Sequence, residues 1–293
     1  MMRVASAAPA ATVPHPSPAI DASFRPARAL LGWMEAEVAH QVLAVGHDSG
    51  VTDRMVQRAA MARRAVLTRE PWRDDSAVGP PPADIGAHLA DFRKTAQELF
   101  DDGWRLQSVD LTRLIAIQPV TFTDHYAEIM SSLSADESER VARITLPLPD
   151  DSPPLVQSAP DGRAWIVSSN NPHLQVGEAV QDPSAGVLGF KLARATSILK
   201  VAELNGRALC LDGHHRAYQL LRRHVIEAPA LVRSFSSLAE TGVPAGLLSE
   251  DVCLGDHPAL VADLMSRRVS ADVLAAATRK FLVIEARELV LPV

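Results

Sequence analysis

Aromatic side chains are scarce in this 293-residue chain, at 4%, so Leu, Val, Ile and Ala must supply most of its packing. Long apolar runs are missing as well. Runs such as Ala208 to Leu211 and Ala228 to Val232 fall far short of the ~20 residues needed to span a bilayer. The opening stretch MMRVASAAPAATVPHPSPAI carries one Arg, then Ala, Pro and Ser, without the continuous apolar segment of a secretory signal. A cytoplasmic protein with no membrane partner is the expectation. Two cysteines, Cys210 and Cys253, are too few for a disulfide framework and too far apart for a zinc knuckle. A basic surplus is absent too: 29 Lys and Arg face 35 Asp and Glu, for a formal charge of −6. Proteins that neutralise duplex phosphates carry such a surplus, or at least a concentrated basic stripe. The clusters from Arg54 to Arg69 and from Arg216 to Arg233 are modest, so nucleic acid stays open as a partner without being favoured. Neither a GxGxxG nor a Walker signature occurs.

What is present divides into four stretches. Residues 1–24 form an Ala/Pro-rich tail with little reason to fold, and are expected to be disordered. Residues 25–100 read as an N-terminal helical region. Leu31, Met34, Val38 and Val42 recur at helical spacing from Pro26 onward, and a second helix starts at Thr52 or Asp53 with Met55, Ala59, Ala62 and Val66 on one side. After the break REPWRDDSAVGPPP, a third helix carries Ile85, Leu89, Phe92, Ala96 and Leu99 on one face. Residues 105–235 change texture, with strand-like runs at Val109–Leu111, Leu114–Ile117, Val141–Leu148 and Ala164–Ser168. Asn205-Gly206 sits between Leu199–Glu203 and Arg207–Leu211, a strong hairpin signal because both residues tolerate positive φ. Residues 238–293 form a small C-terminal α/β extension, with helical stretches at Ala259–Met265 and after Val269, then a strand at Phe281–Glu285.

Chemistry concentrates at one junction. Arg207–Leu211 delivers the chain as a buried strand to Asp212-Gly213, and HHRAYQLLRRH follows as an amphipathic helix. Its first-turn N–H groups lack intrahelical acceptors, and Gly213 permits close approach by an anion. His214, His215 and Arg216 add donors at the same place, although cationic groups at a helix start oppose its dipole unless an anion is bound. Each residue alone has an ordinary explanation: Asp212 as a helix cap, one His as a packed core residue, Arg216 in a surface ion pair. A return strand, Ala230–Val232, follows Pro229.

The run LCLDGHHRAYQLLRRHVIEAPALVRSF resembles the ParB/sulfiredoxin-like family, in which a Gly-x-x-Arg turn follows a strand and opens a helix. VDLTRLIAIQP, Val109 to Pro119, looks like that domain's opening strand and loop, so the resemblance covers residues 105–235. It implies an α+β fold: a mixed-sheet domain between the helical region and the C-terminal extension. The family includes partition proteins that bind CTP and DNA, sulfiredoxins that use ATP, and free serine kinases. Gly213, His215 and Arg216 fall on its phosphate-contacting places, with His214 beside them. His214 also stands where a sulfiredoxin has its catalytic cysteine, so that chemistry is not expected, and Cys210 lies too early to restore it. The Asp212–Arg216 turn is most similar to the serine kinase branch, where the acidic residue serves catalysis or metal binding. Partition proteins prefer a Glu-Arg-Arg turn, and no helix-turn-helix pattern is evident downstream.

The resemblance therefore implies a nucleotide-dependent phosphotransferase acting on a small hydroxyl-bearing metabolite. ATP, ADP or CTP is the expected nucleotide, with Mg²⁺ carried on its phosphates and held by Asp212. Asp212, His214 and His215 are the expected catalytic groups, joined by Asp124 or Glu128 from TFTDHYAEI, which flank His125. Four residues apart, those two carboxylates share a face if the segment is helical, and a solvated helix start explains them equally well. The alternatives are a nucleotide-gated DNA-binding or partition-like module and a non-catalytic sensor of a phosphorylated metabolite. Asn170–His173 reads as a turn, and Gly186–Lys191 as two glycines before a helix.

Overall fold

Residues 24–73, 77–82, 86–124, 138–148, 155–158, 164–169, 174–182, 184, 187–194, 196–243, 248–276 and 280–285 are described by the computed structural model. The first third runs through β1 (Phe24–Ala29), a 3₁₀ turn at Leu31–Trp33, α1 (Ala36–Ala44), α2 (Asp53–Leu67), α3 (Gly86–Thr95) and α4 (Gln97–Asp101). Then come β2 (Arg105–Asp110), β3 (Ile115–Ala116), β4 (Val120–Phe122), α5 (Ser138–Thr145), β5 (Leu155–Ser158), β6 (Ala164–Ser169), β7 (Leu174–Asp182) and β8 (Val187–Arg194). The last third holds β9 (Lys200–Leu204), β10 (Arg207–Asp212), α6 (His214–Arg222), β11 (Glu227–Ser234), α7 (Glu250–Leu254), a 3₁₀ segment at Val261–Met265, β12 (Ala271–Ala276) and β13 (Lys280–Glu285). The architecture is mixed α and β. No helix among the described residues is long and apolar enough to cross a membrane.

The site is carried by a five-stranded sheet in the order β2-β11-β9-β10-β3. Its centre is the hairpin β9–β10, turned by Asn205 (φ 52°) and Gly206 (φ 78°), two successive positive φ angles that match the strands' right-handed twist. Flanking pairs are of both kinds: β3 runs parallel to β10, β11 runs parallel to β9, and β2 is antiparallel to β11. Pro229 is tolerated inside β11 because it pairs only with Ser108 of β2. The β9 ladder begins later, at Leu231. A second sheet, β12-β1-β4, joins the two ends of the chain to the middle. The main core accordingly mixes Leu30 and Val66 with Leu111, Leu199 and Leu220, and with Leu264 from the C-terminal part. Strands β13-β6-β5 and the ribbon β7-β8 form two further sheets.

Several local expectations are corrected. The segment from Pro26 is a strand rather than a helix start: β1 is clamped between β12 and β4, and pairing on both edges overrides the spacing of Leu31, Met34 and Val38. Helix begins only at Ala36. Val141–Leu148 is not a strand, since Ser138–Thr145 forms α5. Its β-branched residues suggested extension, yet Val141, Ala142, Ile144 and Thr145 are buried at helical spacing while Arg143 pairs with Glu139 one turn back. After Val269 the Ala-rich run is β12, not a helix; burial alternates with period two and β1 supplies the partner. Ala259–Met265 shortens to a 3₁₀ segment. Val187–Lys191 lies in β8 rather than before a helix. The third helix breaks at Ala96. Thr123 and Asp124 are bends, and His125, Glu128, Ile85, Asn170–His173 and most of the 1–24 tail lie outside the described residues.

Candidate functional site at the strand–helix junction

The β10–α6 junction turns on Gly213, which has φ 89° and ψ 15°. A Cβ there would stand 2.9 Å from the Leu199 Cα and 3.0 Å from its Cδ1, so backbone conformation and space both demand glycine. Close packing on Leu199 brings Ser197 and Ile198 beside Asp212. The Asp212 Oδ1 accepts from the Ser197 hydroxyl (2.8 Å) and from the Gly213 N–H (2.7 Å), while Oδ2 accepts from the Ile198 N–H (3.2 Å). Arg216, one turn into α6 and only 5% exposed, donates from Nη1 to the same Ser197 hydroxyl at 2.9 Å. Carboxylate, hydroxyl and guanidinium thus form one chain of hydrogen bonds behind the helix start. No side chain caps that start.

The two histidines diverge. His214 is buried, and its Nε2 accepts from the Ile117 N–H (3.1 Å) and from the Gln118 N–H (3.4 Å). An accepting Nε2 places the ring proton on Nδ1, which is buried without a hydrogen-bond partner. Burial, and secondarily the neighbouring His215, lower its pKa from the usual 6.5 to about 3. His214 is therefore neutral, and it anchors α6 to the end of β3. His215 points the other way, half-buried, and stacks on Phe122 with ring centroids 5.7 Å apart.

Asp124 is brought to the same neighbourhood but is held by another group. Arg25 grips both of its oxygens (Nε–Oδ2 2.9 Å, Nη2–Oδ1 2.8 Å) and lies over the Phe122 ring. Gln219 donates to the Thr123 carbonyl at 2.6 Å, so the His215–Gln219 side of α6 is bound to the end of β4. Cys210, fully buried, donates its thiol to the Asp212 carbonyl; burial, then the Asp212 charge, raise its pKa well above the ordinary thiol value. It supplies no thiolate.

Ser197 is the participant that the sequence did not single out. Its signal was the hairpin register: counting back from Asn205-Gly206, residues 197–199 must lie beside the end of β10. Arg25 had no such signal, since its contact with Asp124 depends on the β1–β4 pairing.

No group of three or more His, Cys, Asp or Glu side chains converges on a metal position among the described residues. Asp212 already accepts three hydrogen bonds, so this donor set does not fit a cation held by protein ligands alone. The turn does suit phosphate oxygens, with a glycine rather than a capping side chain at the helix start and two basic side chains at one place. Both basic clusters are engaged in part. Arg58 donates to the carbonyls of Arg267 and Ser270, Arg69 pairs with Asp263, and Arg216 is buried. Comparison of the chain with family models, with curated proteins and with solved structures returns no match.

Proposed function

We propose that the Asp212–Arg216 turn binds the phosphates of a nucleotide and that the protein transfers a phosphoryl group to a small hydroxyl-bearing metabolite. The observation that carries this reading is the Asp212–Ser197–Arg216 hydrogen-bond chain behind an uncapped helix start on a positive-φ glycine. Backbone N–H groups of the first turn receive phosphate oxygens, and Arg216 fixes their negative charge from behind. His215, steadied by Phe122, donates from the side. His214 takes no part in the chemistry in this reading; it positions the helix. A carboxylate offers about four lone-pair sites, and Asp212 uses three, leaving one on Oδ2 to take the acceptor's hydroxyl proton. Mg²⁺ arrives with the nucleotide and is not assigned protein ligands.

The finer fold assignment belongs to the same proposal. Residues 105–235 are ParB/sulfiredoxin-like, supported by β2, the β9–β10 hairpin, the glycine junction and the return strand β11 in one mixed sheet.

One observation favours a second reading, a sensor of a phosphorylated metabolite without catalysis: Asp124, the other described carboxylate candidate, is neutralised by Arg25. Incubation with Mg²⁺, each nucleotide and a pool of small alcohols and amino acids, followed by detection of phosphorylated product, separates the two. Turnover that disappears in Asp212→Asn supports phosphoryl transfer. Binding of a phosphorylated metabolite without turnover supports the sensor.

A further inference from the structure

A second basic cleft lies at the other end of α6 and belongs to none of the chemistry above. It is lined by the buried Arg28 of β1, by Tyr218 and Arg222 of α6, and by Thr123, Arg267 and Asp272. Arg222 is seven residues beyond His215, or ~10 Å along the helix at 1.5 Å per residue. None of the cleft's lining residues belongs to the Asp212–Arg216 turn, although Thr123 adjoins Phe122 and Asp124.

Its electrostatics are lopsided. Arg28 is 6% exposed and fully oriented: Nε donates to the Leu264 carbonyl, Nη1 pairs with Asp272 at 2.9 Å, and Nη2 donates to the Ser270 hydroxyl. Asp272 thus balances Arg28. Arg222 and Arg267 form no ion pair among the described residues, although both line the same cleft, so two positive charges face it uncompensated. A cleft lined by one sign of charge raises the local concentration of the opposite ion. Arg222 makes only long contacts, 3.5 Å to the Thr123 carbonyl and 3.4 Å to Gln219, and its guanidinium lies over the Tyr218 ring. The Tyr218 hydroxyl, protonated at neutral pH as any tyrosine is, offers a further donor at the same cleft. Across the β1–β4 ladder from Arg28, on the same face of that sheet, the Thr121 hydroxyl is buried and has no hydrogen-bond partner.

We propose that this cleft is a binding site for a small phosphate monoester, its dianionic phosphate gripped by Arg222 and Arg267 beside Arg28. Two uncompensated guanidiniums match the charge of a phosphate dianion, and their planar forks match its oxygens. The size selects the ligand class. A volume of about 280 Å³ lies just below the roughly 300 to 1000 Å³ of drug-sized ligand sites, so a short phosphorylated metabolite fits better than a nucleotide. Bound there, the ligand ties α6 to the β1–β12 pair and to the segment ending at Arg267.

The test is calorimetric titration of the full chain, in phosphate-free buffer, with glycerol phosphate, inorganic phosphate and malonate. Arg222 and Arg267 are both exposed, so Arg222→Gln and Arg267→Gln remove charge without opening the core. Each substitution is expected to weaken glycerol phosphate binding about tenfold or more, as loss of a charge-assisted bond does. Glycerol phosphate held at the junction instead would be weakened by Arg216→Gln and indifferent to both cleft substitutions, which tells the two sites apart. Inorganic phosphate binding as tightly as glycerol phosphate would make the free ion the ligand and overturn the monoester assignment. Malonate binding as tightly would overturn the phosphate assignment. Absence of binding by either phosphate at millimolar concentration, or binding indifferent to both cleft substitutions, would overturn the site itself.

Discussion

At the scale of single residues, Gly213 and His214 fix the junction in different ways. Gly213 holds a left-handed conformation against the Leu199 backbone, so Gly213→Ala must both strain φ and displace Leu199, just before β9. The left-handed strain alone costs ~1–2 kcal/mol, and the clash adds to it. Urea denaturation is expected to show a loss of ~2–4 kcal/mol. His214 makes the fold acid-sensitive. Its folded pKa, about 3, lies below the unfolded value of 6.5, so the unfolded chain binds more protons between those limits. Stability from this group is complete above pH 6.5 and declines as pH falls toward 3, by ~1.4 kcal/mol per pH unit. Between pH 7 and 5 the wild type should therefore lose about 2 kcal/mol from this source, and His214→Gln should lose correspondingly less over the same interval. Equal slopes for the two proteins would remove His214 from the account.

Among the elements, α5 shows where sequence patterns ran out. Val141, Ile144 and Thr145 have strand-forming side chains, and only their burial at positions three and four apart reveals a helix face. Ile144→Ala should cost ~2–4 kcal/mol, whereas Arg143→Ala, which breaks only an exposed pair with Glu139, should change stability by less than ~0.5 kcal/mol. Comparable losses at both positions would contradict the helix. The β9–β10 hairpin and the β10–α6 junction were legible because local chemistry determines them: Asn205-Gly206 sets the turn, and Gly213 sets the break. Strands β1 and β12 were not, because they pair with each other across 242 to 252 residues of chain, from Ala29↔Ala271 to Phe24↔Ala276. The equally long-range pairing of β1 with β4 hid Arg25 as the partner of Asp124, and with it the reason that Asp124 is an occupied carboxylate. Ser197 was hidden less deeply, since the hairpin register reaches it.

Across the whole molecule, the ends and the middle depend on one another. Sheet β12-β1-β4 takes one strand each from the C-terminal, N-terminal and central stretches, and Leu30, Val66 and Leu264 pack in the core that also supports α6. A fragment limited to residues 105–235 loses those side chains and the partners of β4. It is expected to unfold with lower cooperativity than the full chain and to bind a hydrophobic dye at neutral pH. Cooperative unfolding of the fragment with full-chain stability would show that the central stretch stands alone.

The central claim is that phosphates sit on the turn from Gly213 to Arg216, and calorimetry with ATP, ADP and CTP in the presence of Mg²⁺ addresses it most directly. The intact protein is expected to bind at least one of the three. Arg216→Gln, with its folding verified by circular dichroism, is expected to bind that nucleotide about tenfold or more weakly, since a charge-assisted bond is worth ~1.5–3 kcal/mol. Equal affinity in the two proteins, or no binding by the intact protein, would contradict the placement of phosphates at this junction.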